Sequence, residues 1–306
     1  MNDYLEVART GKNNWWRYLL SLPGILGAWL IVGSIPVFVL AVYVMTDDDP
    51  ATRFIETGFT GIPVLLDFTV TMSTFFPFII ATLLAVRFLH ARSLRTLVTG
   101  WERIRWGRIF EGGLVWFGLA AVIAVIEARL HPGRYVLTFQ PFTLAMYTLV
   151  ALILIPIQTS TEELFFRGYL LQWMGLILKN KWALALINGV LFFLPHAINP
   201  EMSSSSNAIL MGLGYFAFGF FAALITIEDN GMELALGMHA SNNLFASIFA
   251  NYNVSALHSP ALFTVQELDA GYGLASTVLA MVVFHLVFFD WKTLRHAERE
   301  DHGENL

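Results

Sequence analysis

The sequence contains no cysteine, and only 13% of its 306 residues are charged. The lack of thiols excludes disulfides, thiol catalysis and thiolate metal sites, and it leaves the redox compartment undecided. Soluble globular domains carry about 25% charged residues, so the shortage of charge indicates lipid as the main solvent. The net charge is -5, and nothing in the composition indicates a nucleic-acid partner.

Long apolar runs take the place of the missing charge. Hydrophobic residues make up 56% of the chain, and a helix needs about 20 of them to cross the hydrocarbon core of a bilayer. We predict an all-α, polytopic membrane bundle of about eight transmembrane helices, built as a single domain over residues 1–306. The predicted spans are Leu22–Met45, Thr69–Leu89, Phe110–Ile126, Phe142–Leu178, Trp182–Ile198, Ala208–Ile227, Met232–Ala250 and Gly273–Phe289.

The fourth predicted span is too long for a single crossing. As a regular helix Phe142–Leu178 would reach roughly 55 Å, because each residue adds about 1.5 Å. It must therefore kink, break or project into water. Pro156 is a candidate break, because proline removes one hydrogen bond of the helix.

Basic residues alternate with the predicted spans and thereby orient the bundle. Cytoplasmic loops are enriched in lysine and arginine, so eight crossings put both termini in the cytoplasm of a plasma or inner membrane. We expect a mobile cytoplasmic segment over residues 1–20 and a cytoplasmic tail over residues 292–306. The basic groups are Arg9, Lys12 and Arg17; Arg92, Arg95, Arg103, Arg105 and Arg108; Lys179 and Lys181; and Lys292, Arg295 and Arg299.

Two adjacent carboxylates lie inside the fourth span, where ionisable side chains are costly and usually functional. Glu162 and Glu163 point about 100° apart on a helix, so we expect them to have different roles. Glu163 and Arg167 are spaced i, i+4 and can pair directly. That pairing leaves Glu162 free to act as a base. The same polar patch can also be a helix end with solvated charges.

Two histidine motifs follow on later spans. His196 comes four residues after Phe192, and His239 comes four residues before Asn243, so His239 and Asn243 project from one helical face. Taken alone, His196 can be a satisfied core histidine, and the His–Asn pair can be a polar contact between helices. Glu162 and His196 lie roughly 25 and 22 Å from the turn joining their spans, which favours a shared site. His239 lies roughly 14 Å from its own turn, so a kink or tilt must bring it level.

A carboxylate, two imidazoles and an amide that meet inside a membrane can hydrolyse a peptide bond. Glu162 and His196 can activate a water, while His239 and Asn243 can donate hydrogen bonds to the developing oxyanion. The alternative is a zinc-dependent site, with Glu162, His196 and His239 as ligands. No His-Glu-x-x-His motif is present, and the amide of Asn243 is a poor zinc ligand. We therefore expect no metal and no other cofactor.

The three motifs together resemble those of the CAAX prenyl endopeptidase and bacteriocin-processing family, known as CPBP or Abi. The resemblance covers a motif-bearing core at residues 142–250, and the first 140 residues match by hydropathy only. It implies an eight-helix bundle around a membrane-embedded site, and an intramembrane peptidase of the glutamate type with a peptide or protein substrate at or in the membrane. It implies water activation by Glu162 and His196, an oxyanion hole of His239 and Asn243, and structural support from Glu163 and Arg167.

A third interpretation is not enzymatic. The bundle can be a membrane scaffold or a bacteriocin-immunity protein, since a motif does not prove turnover. Transport would predict broken spans paired between two related halves, and the sequence has no such symmetry. Among the other polar residues, we expect His285 to be packed in the core, and Asp67 and Glu127, near span ends, to be solvated.

Overall fold

The computed structural model describes residues 3–55 and 58–290. Within them, a long helix occupies each of the eight predicted positions, so the all-α polytopic bundle is confirmed. The predicted tail at residues 292–306 lies outside the described residues. The helices are α1 (Trp15–Thr46), α2 (Val64–Leu89), α3 (Trp106–Leu130), α4 (Pro141–Gly175), α5 (Lys181–His196), α6 (Ala208–Glu228), α7 (Glu233–Ile248) and α8 (Ala270–Asp290).

Short elements fill the loops between these helices. Strand β1 (Arg53–Ile55) pairs antiparallel with β2 (Gly58–Thr60). Strand β3 (Tyr135–Leu137) pairs antiparallel with β5 (Phe263–Val265), which in turn pairs in parallel with β4 (Ala250–Tyr252). The short helices are Asp3–Glu6, Val7–Thr10, Arg95–Val98 and Pro200–Ser204.

Contacts between loops show which loops lie at the same end of the helix bundle. At one end, the amides of Tyr4 and Gly100 both donate to Asn230, which joins the N-terminal segment, the α2–α3 loop and the α6–α7 loop. At the other end, β3 pairs with β5 across two loops, and the amide of Ala256 donates to Glu201 at 2.7 Å. Every basic group predicted to be cytoplasmic, as far as the structure describes it, lies at the first end.

Exposed tryptophans mark that first end as a membrane interface. Tryptophan is enriched where the bilayer meets water, because its ring is apolar and its N–H is polar. Five tryptophans among the described residues are exposed, and they lie at the starts of α1, α3 and α5 or in the α2–α3 loop: Trp15, Trp16, Trp101, Trp106 and Trp182.

Of the eight helices in the described part of the chain, six are long and apolar enough to cross a membrane. Helices α5 and α7 have 16 residues each. A helix of that length reaches about 24 Å, short of the hydrocarbon thickness of about 30 Å. The count of eight crossings and the cytoplasmic orientation of the termini therefore stay predictions.

The N-terminal segment is packed against the bundle, and the expectation that it is mobile was wrong. Helix α1 starts at Trp15 rather than near Leu22. Before it, Tyr4 and Ala8 are buried, and the Tyr4 hydroxyl donates to the carbonyl of Leu97 at 2.6 Å. A few apolar side chains anchor this polar segment to the helix ends. The average polarity of the segment does not predict this anchoring.

Helix α4 is buried along the stretch that carries the two adjacent glutamates. Every residue from 161 to 172 is buried. The helix is regular through Pro156, so the predicted break is misplaced, and a wider π-helical turn follows at Leu164–Leu170 instead. Such turns are often found at functional sites. In this protein the turn begins directly after the two adjacent glutamates.

Helix α7 packs against both α3 and α4. Small residues let the α3 and α7 backbones approach closely, as is common in membrane bundles. At Gly237 a Cβ atom would collide with the carbonyl oxygen of Ile109 on α3. This close approach brings the polar face of α7 within reach of α3 side chains.

Three further polar residues have ion-pair partners that the sequence did not indicate. Glu127 is buried and accepts from Arg134 at 2.9 Å, so the expectation of a solvated side chain was wrong. The same expectation was wrong for Asp67, which is buried and lies 3.3 Å from Nδ1 of His258. His285, expected to be packed in the core, lies 2.8 Å from a carboxylate oxygen of Glu228.

Candidate active site

A cavity of about 570 Å³ lies among the helices, and all four residues predicted to carry the chemistry line it. Glu162 reaches it from α4, His196 from the end of α5, and His239 and Asn243 from α7. Of the described residues, no lysine or arginine is part of the lining. The structure thus brings together the side chains that the sequence grouped, while their chemical roles stay predictions.

The two adjacent glutamates point to different places, as expected from their spacing. Glu162 lines the cavity, and Glu163 is fully buried behind it. No side chain or amide in the described residues donates a hydrogen bond to Oε2 of Glu162. Glu162 is therefore the carboxylate available to a group inside the cavity.

Glu163 holds two partners at once. Its Oε1 lies 3.1 Å from Nη1 of Arg167 and 2.7 Å from Nδ1 of His239. The predicted Glu163–Arg167 pair is therefore present, and the contact with His239 is an addition that the sequence did not reveal. The guanidinium also lies over the ring of Phe192, 4.5 Å from its centre. Arg167 and Glu163 are both 0% exposed, so the charges are compensated entirely inside the protein.

His239 lies between the two carboxylates. An ionised carboxylate only accepts hydrogen bonds, so Nδ1 of His239 carries the hydrogen that binds Glu163. Its other nitrogen, Nε2, lies 3.5 Å from Oε2 of Glu162. The rings of Phe192 and Phe218 pack against the imidazole, with centres 5.8 and 5.0 Å away. These contacts fix the ring and direct Nε2 towards the cavity-lining carboxylate.

His196 is also fixed through one nitrogen. Its Nδ1 lies 2.7 Å from the carbonyl oxygen of Phe192, which can only accept, so Nδ1 carries a hydrogen. Its ring packs between those of Phe192 and Tyr215, with centres 4.5 and 4.6 Å away. In the neutral ring this arrangement leaves the lone pair on Nε2, which can accept a hydrogen bond.

Asn243 belongs to a hydrogen-bonded row of side chains. Its amino group donates to Oε1 of Gln158, and its carbonyl oxygen accepts from Asn242, both at 3.1 Å. The indole of Trp116 donates to Asn242, also at 3.1 Å. Sequence reasoning did not identify Trp116, Asn242 or Gln158 as site residues. The available signals were that Gln158 lies a helical turn before Glu162 and that Asn242 directly precedes Asn243.

Across the described ranges, no group of three or more His, Asp or Glu side chains is placed to hold a metal ion. The expectation of a metal-free site is untested and stays a prediction.

This chain matches one protein-family model and one known protein. Residues 141–245 match the family model described as type II CAAX prenyl endopeptidase Rce1-like. The match starts with α4 and includes every residue of the predicted site. The uncharacterized protein YyaK of Bacillus subtilis (strain 168) is 33% identical over 288 residues, which cover 93% of this chain and 94% of that protein. No solved structure matches the chain.

Proposed function

This chain belongs to the type II CAAX prenyl endopeptidase Rce1-like family, a family of membrane proteases, and we propose that it is an intramembrane endopeptidase of the glutamate type. Its substrate in this proposal is a peptide or protein at or in the membrane. The observation that carries the proposal is the meeting of Glu162, His196, His239 and Asn243 at one cavity.

Glu162 is the general base in the proposed reaction. Its Oε2 is buried at the cavity and receives no hydrogen bond from the described residues, so it can take a proton from water. His196 orients the same water, which donates its second hydrogen to Nε2. The water oxygen then attacks the carbonyl carbon of the scissile peptide bond. When the C–N bond breaks, Glu162 returns its proton to the leaving amine.

His239 and Asn243 form the proposed oxyanion hole. Because Nδ1 of His239 already donates to Glu163, donation from Nε2 requires the imidazole to carry both hydrogens. The carboxylates of Glu163 and Glu162 lie beside Nδ1 and Nε2 of the ring, at 2.7 and 3.5 Å. The amino group of Asn243 supplies the second donor. Preorganised donors of this kind stabilise the charge that develops on the carbonyl oxygen.

The test compares purified wild type with Glu162→Gln on a peptide library. Each peptide is supplied with and without a prenyl group, and products are identified by mass spectrometry. We expect cleavage by the wild type and none by the variant, because glutamine keeps the shape and removes the base. Equal cleavage by both proteins would refute the assignment.

A matched control is Glu111→Gln, which changes a side chain that is 58% exposed and pairs with Arg108 at the surface. We expect this variant to retain wild-type activity. The thermal unfolding of Glu162→Gln should match that of the wild type, which separates loss of chemistry from loss of fold.

A further inference from the structure

A row of hydrogen-bonded side chains crosses three helices beside the cavity. It runs from Trp116 on α3 through Asn242 and Asn243 on α7 to Gln158 on α4, and each of its three hydrogen bonds measures 3.1 Å. We call these four residues the amide row. Three of them, all except Trp116, line the cavity.

The direction of the amide row follows from its first member. An indole N–H can only donate, so the atom of Asn242 that faces Trp116 must be the carbonyl oxygen. The amino group of Asn242 then faces Asn243, which must accept with its own carbonyl oxygen. Turning any one amide around would place two donors or two acceptors 3.1 Å apart.

This direction decides which end of Asn243 can serve an oxyanion. Its carbonyl oxygen is engaged by Asn242, and one hydrogen of its amino group binds Gln158. The second hydrogen of that amino group is left for a group in the cavity. An amide turned the other way would present an oxygen, which repels a developing negative charge.

The first member is itself held firmly. Trp116 is buried, and its ring packs edge-on against Phe218 and Phe284, with centres 6.0 and 5.8 Å away. The Phe218 ring also packs against His239. The Phe218 ring therefore packs against both the first member of the amide row and the imidazole of the proposed oxyanion hole.

We propose that Trp116, Asn242 and Gln158 are positioning residues that orient the amide of Asn243 with its amino group towards the reacting carbonyl. This inference rests on the proposed function, because it needs Asn243 to be an oxyanion donor. In this proposal Asn242 has a role distinct from that of Asn243: it donates the hydrogen bond that fixes the direction of the Asn243 amide.

The test begins with Asn242→Asp, which keeps the shape and removes the hydrogens that Asn243 accepts. The aspartate still accepts from Trp116, but its second oxygen faces the carbonyl oxygen of Asn243. The Asn243 amide is then expected to turn over and present its oxygen to the cavity. We expect kcat to fall about 10²–10³-fold, the usual loss of one oxyanion donor, with KM nearly unchanged.

A double-mutant comparison separates positioning from simple structural support. If Asn242 acts through Asn243, then Asn242→Asp causes no further loss of kcat in an Asn243→Ala background. Losses that multiply in the double variant would overturn the proposal, as would full kcat in Asn242→Asp alone. An unchanged kcat in Asn243→Ala alone would instead reject the proposed oxyanion hole, and therefore the function on which this inference rests.

Ser241→Ala is the matched control, because Ser241 donates to the carbonyl of Gly113 at 2.7 Å across the same α3–α7 contact without belonging to the row. We expect its kcat to equal that of the wild type. If Asn242→Asp does not fold, Trp116→Phe gives a second test, since it keeps an aromatic ring and removes the indole N–H. A several-fold fall in kcat that disappears in the Asn243→Ala background supports the row, and an unchanged kcat overturns it.

Discussion

Replacement of Arg167 by methionine gives the most direct test of the buried charge pair. Methionine keeps a long apolar stem and removes the guanidinium. The change strands Glu163, because the two side chains are both 0% exposed and Arg167 supplies a cation 3.1 Å from the carboxylate. The guanidinium also lies 4.5 Å from the centre of the Phe192 ring. Methionine is uncharged, so this cation–π contact is lost as well.

The size of the effect follows from these contacts. Removing one partner of a buried ion pair costs about 3–5 kcal/mol, because the other charge stays buried without compensation. His239 still binds Glu163 at 2.7 Å, so we expect a cost near the lower value. Each kcal/mol lowers the melting temperature of a chain of this size by roughly 2–4 °C. Arg167→Met should therefore melt about 6–12 °C below the wild type.

The assay is thermal unfolding of the purified proteins in one detergent, followed by intrinsic fluorescence. The control is Lys179→Met, since Lys179 pairs with Glu6 but is 54% exposed, and exposed pairs contribute at most about 1 kcal/mol. The double variant Glu163→Gln with Arg167→Met should recover part of the loss, because the stranded charge is gone. Equal melting temperatures of Arg167→Met and Lys179→Met, with no recovery in the double variant, would show that Glu163 is not stranded by the loss of the guanidinium.

Three further predictions concern the chemistry and the topology. Asn243→Ala should lower kcat about 10²–10³-fold in steady-state cleavage, and an undiminished kcat would remove it from the oxyanion hole. Elemental analysis should find no stoichiometric transition metal, and activity should survive a chelator; about one zinc per chain, lost together with activity and with His196→Ala, would favour a metallopeptidase. Reporters fused at Arg95 and Lys181 should report cytoplasm and one at Ser204 the opposite side, so agreement between Arg95 and Ser204 would contradict eight crossings.

Hydropathy located the helices well wherever apolar residues continue to the end of the helix. The prediction Ala208–Ile227 differs from the observed Ala208–Glu228 by one residue. At the N-terminus the same reasoning was seven residues late, because Trp15–Ser21 mixes polar and aromatic residues and its average hydropathy falls. Hydropathy reports what lipid surrounds, and an interfacial helix end is only partly in lipid.

Contacts within one helix were readable from spacing, whereas contacts between helices were not. The Glu163–Arg167 pair follows directly from the i, i+4 spacing. The hydrogen bond between Glu163 and His239 joins residues 76 positions apart, and it depends on how α7 packs against α4. The pair formed by Glu127 and Arg134 was not readable from the sequence either, because it depends on how the chain turns after the end of α3.

The structural role that the sequence predicts for Glu163 has a chemical consequence in this geometry. Arg167 holds the Glu163 carboxylate in place, and that carboxylate accepts the hydrogen bond from Nδ1 of His239, which fixes the ring. A change at Arg167 therefore acts on the proposed oxyanion hole as well as on stability. Folded Arg167→Met should show a reduced kcat even at temperatures where it is fully native, because the ring of His239 loses the ion pair that fixes its partner. Stability and chemistry are linked here because one buried carboxylate oxygen serves both contacts.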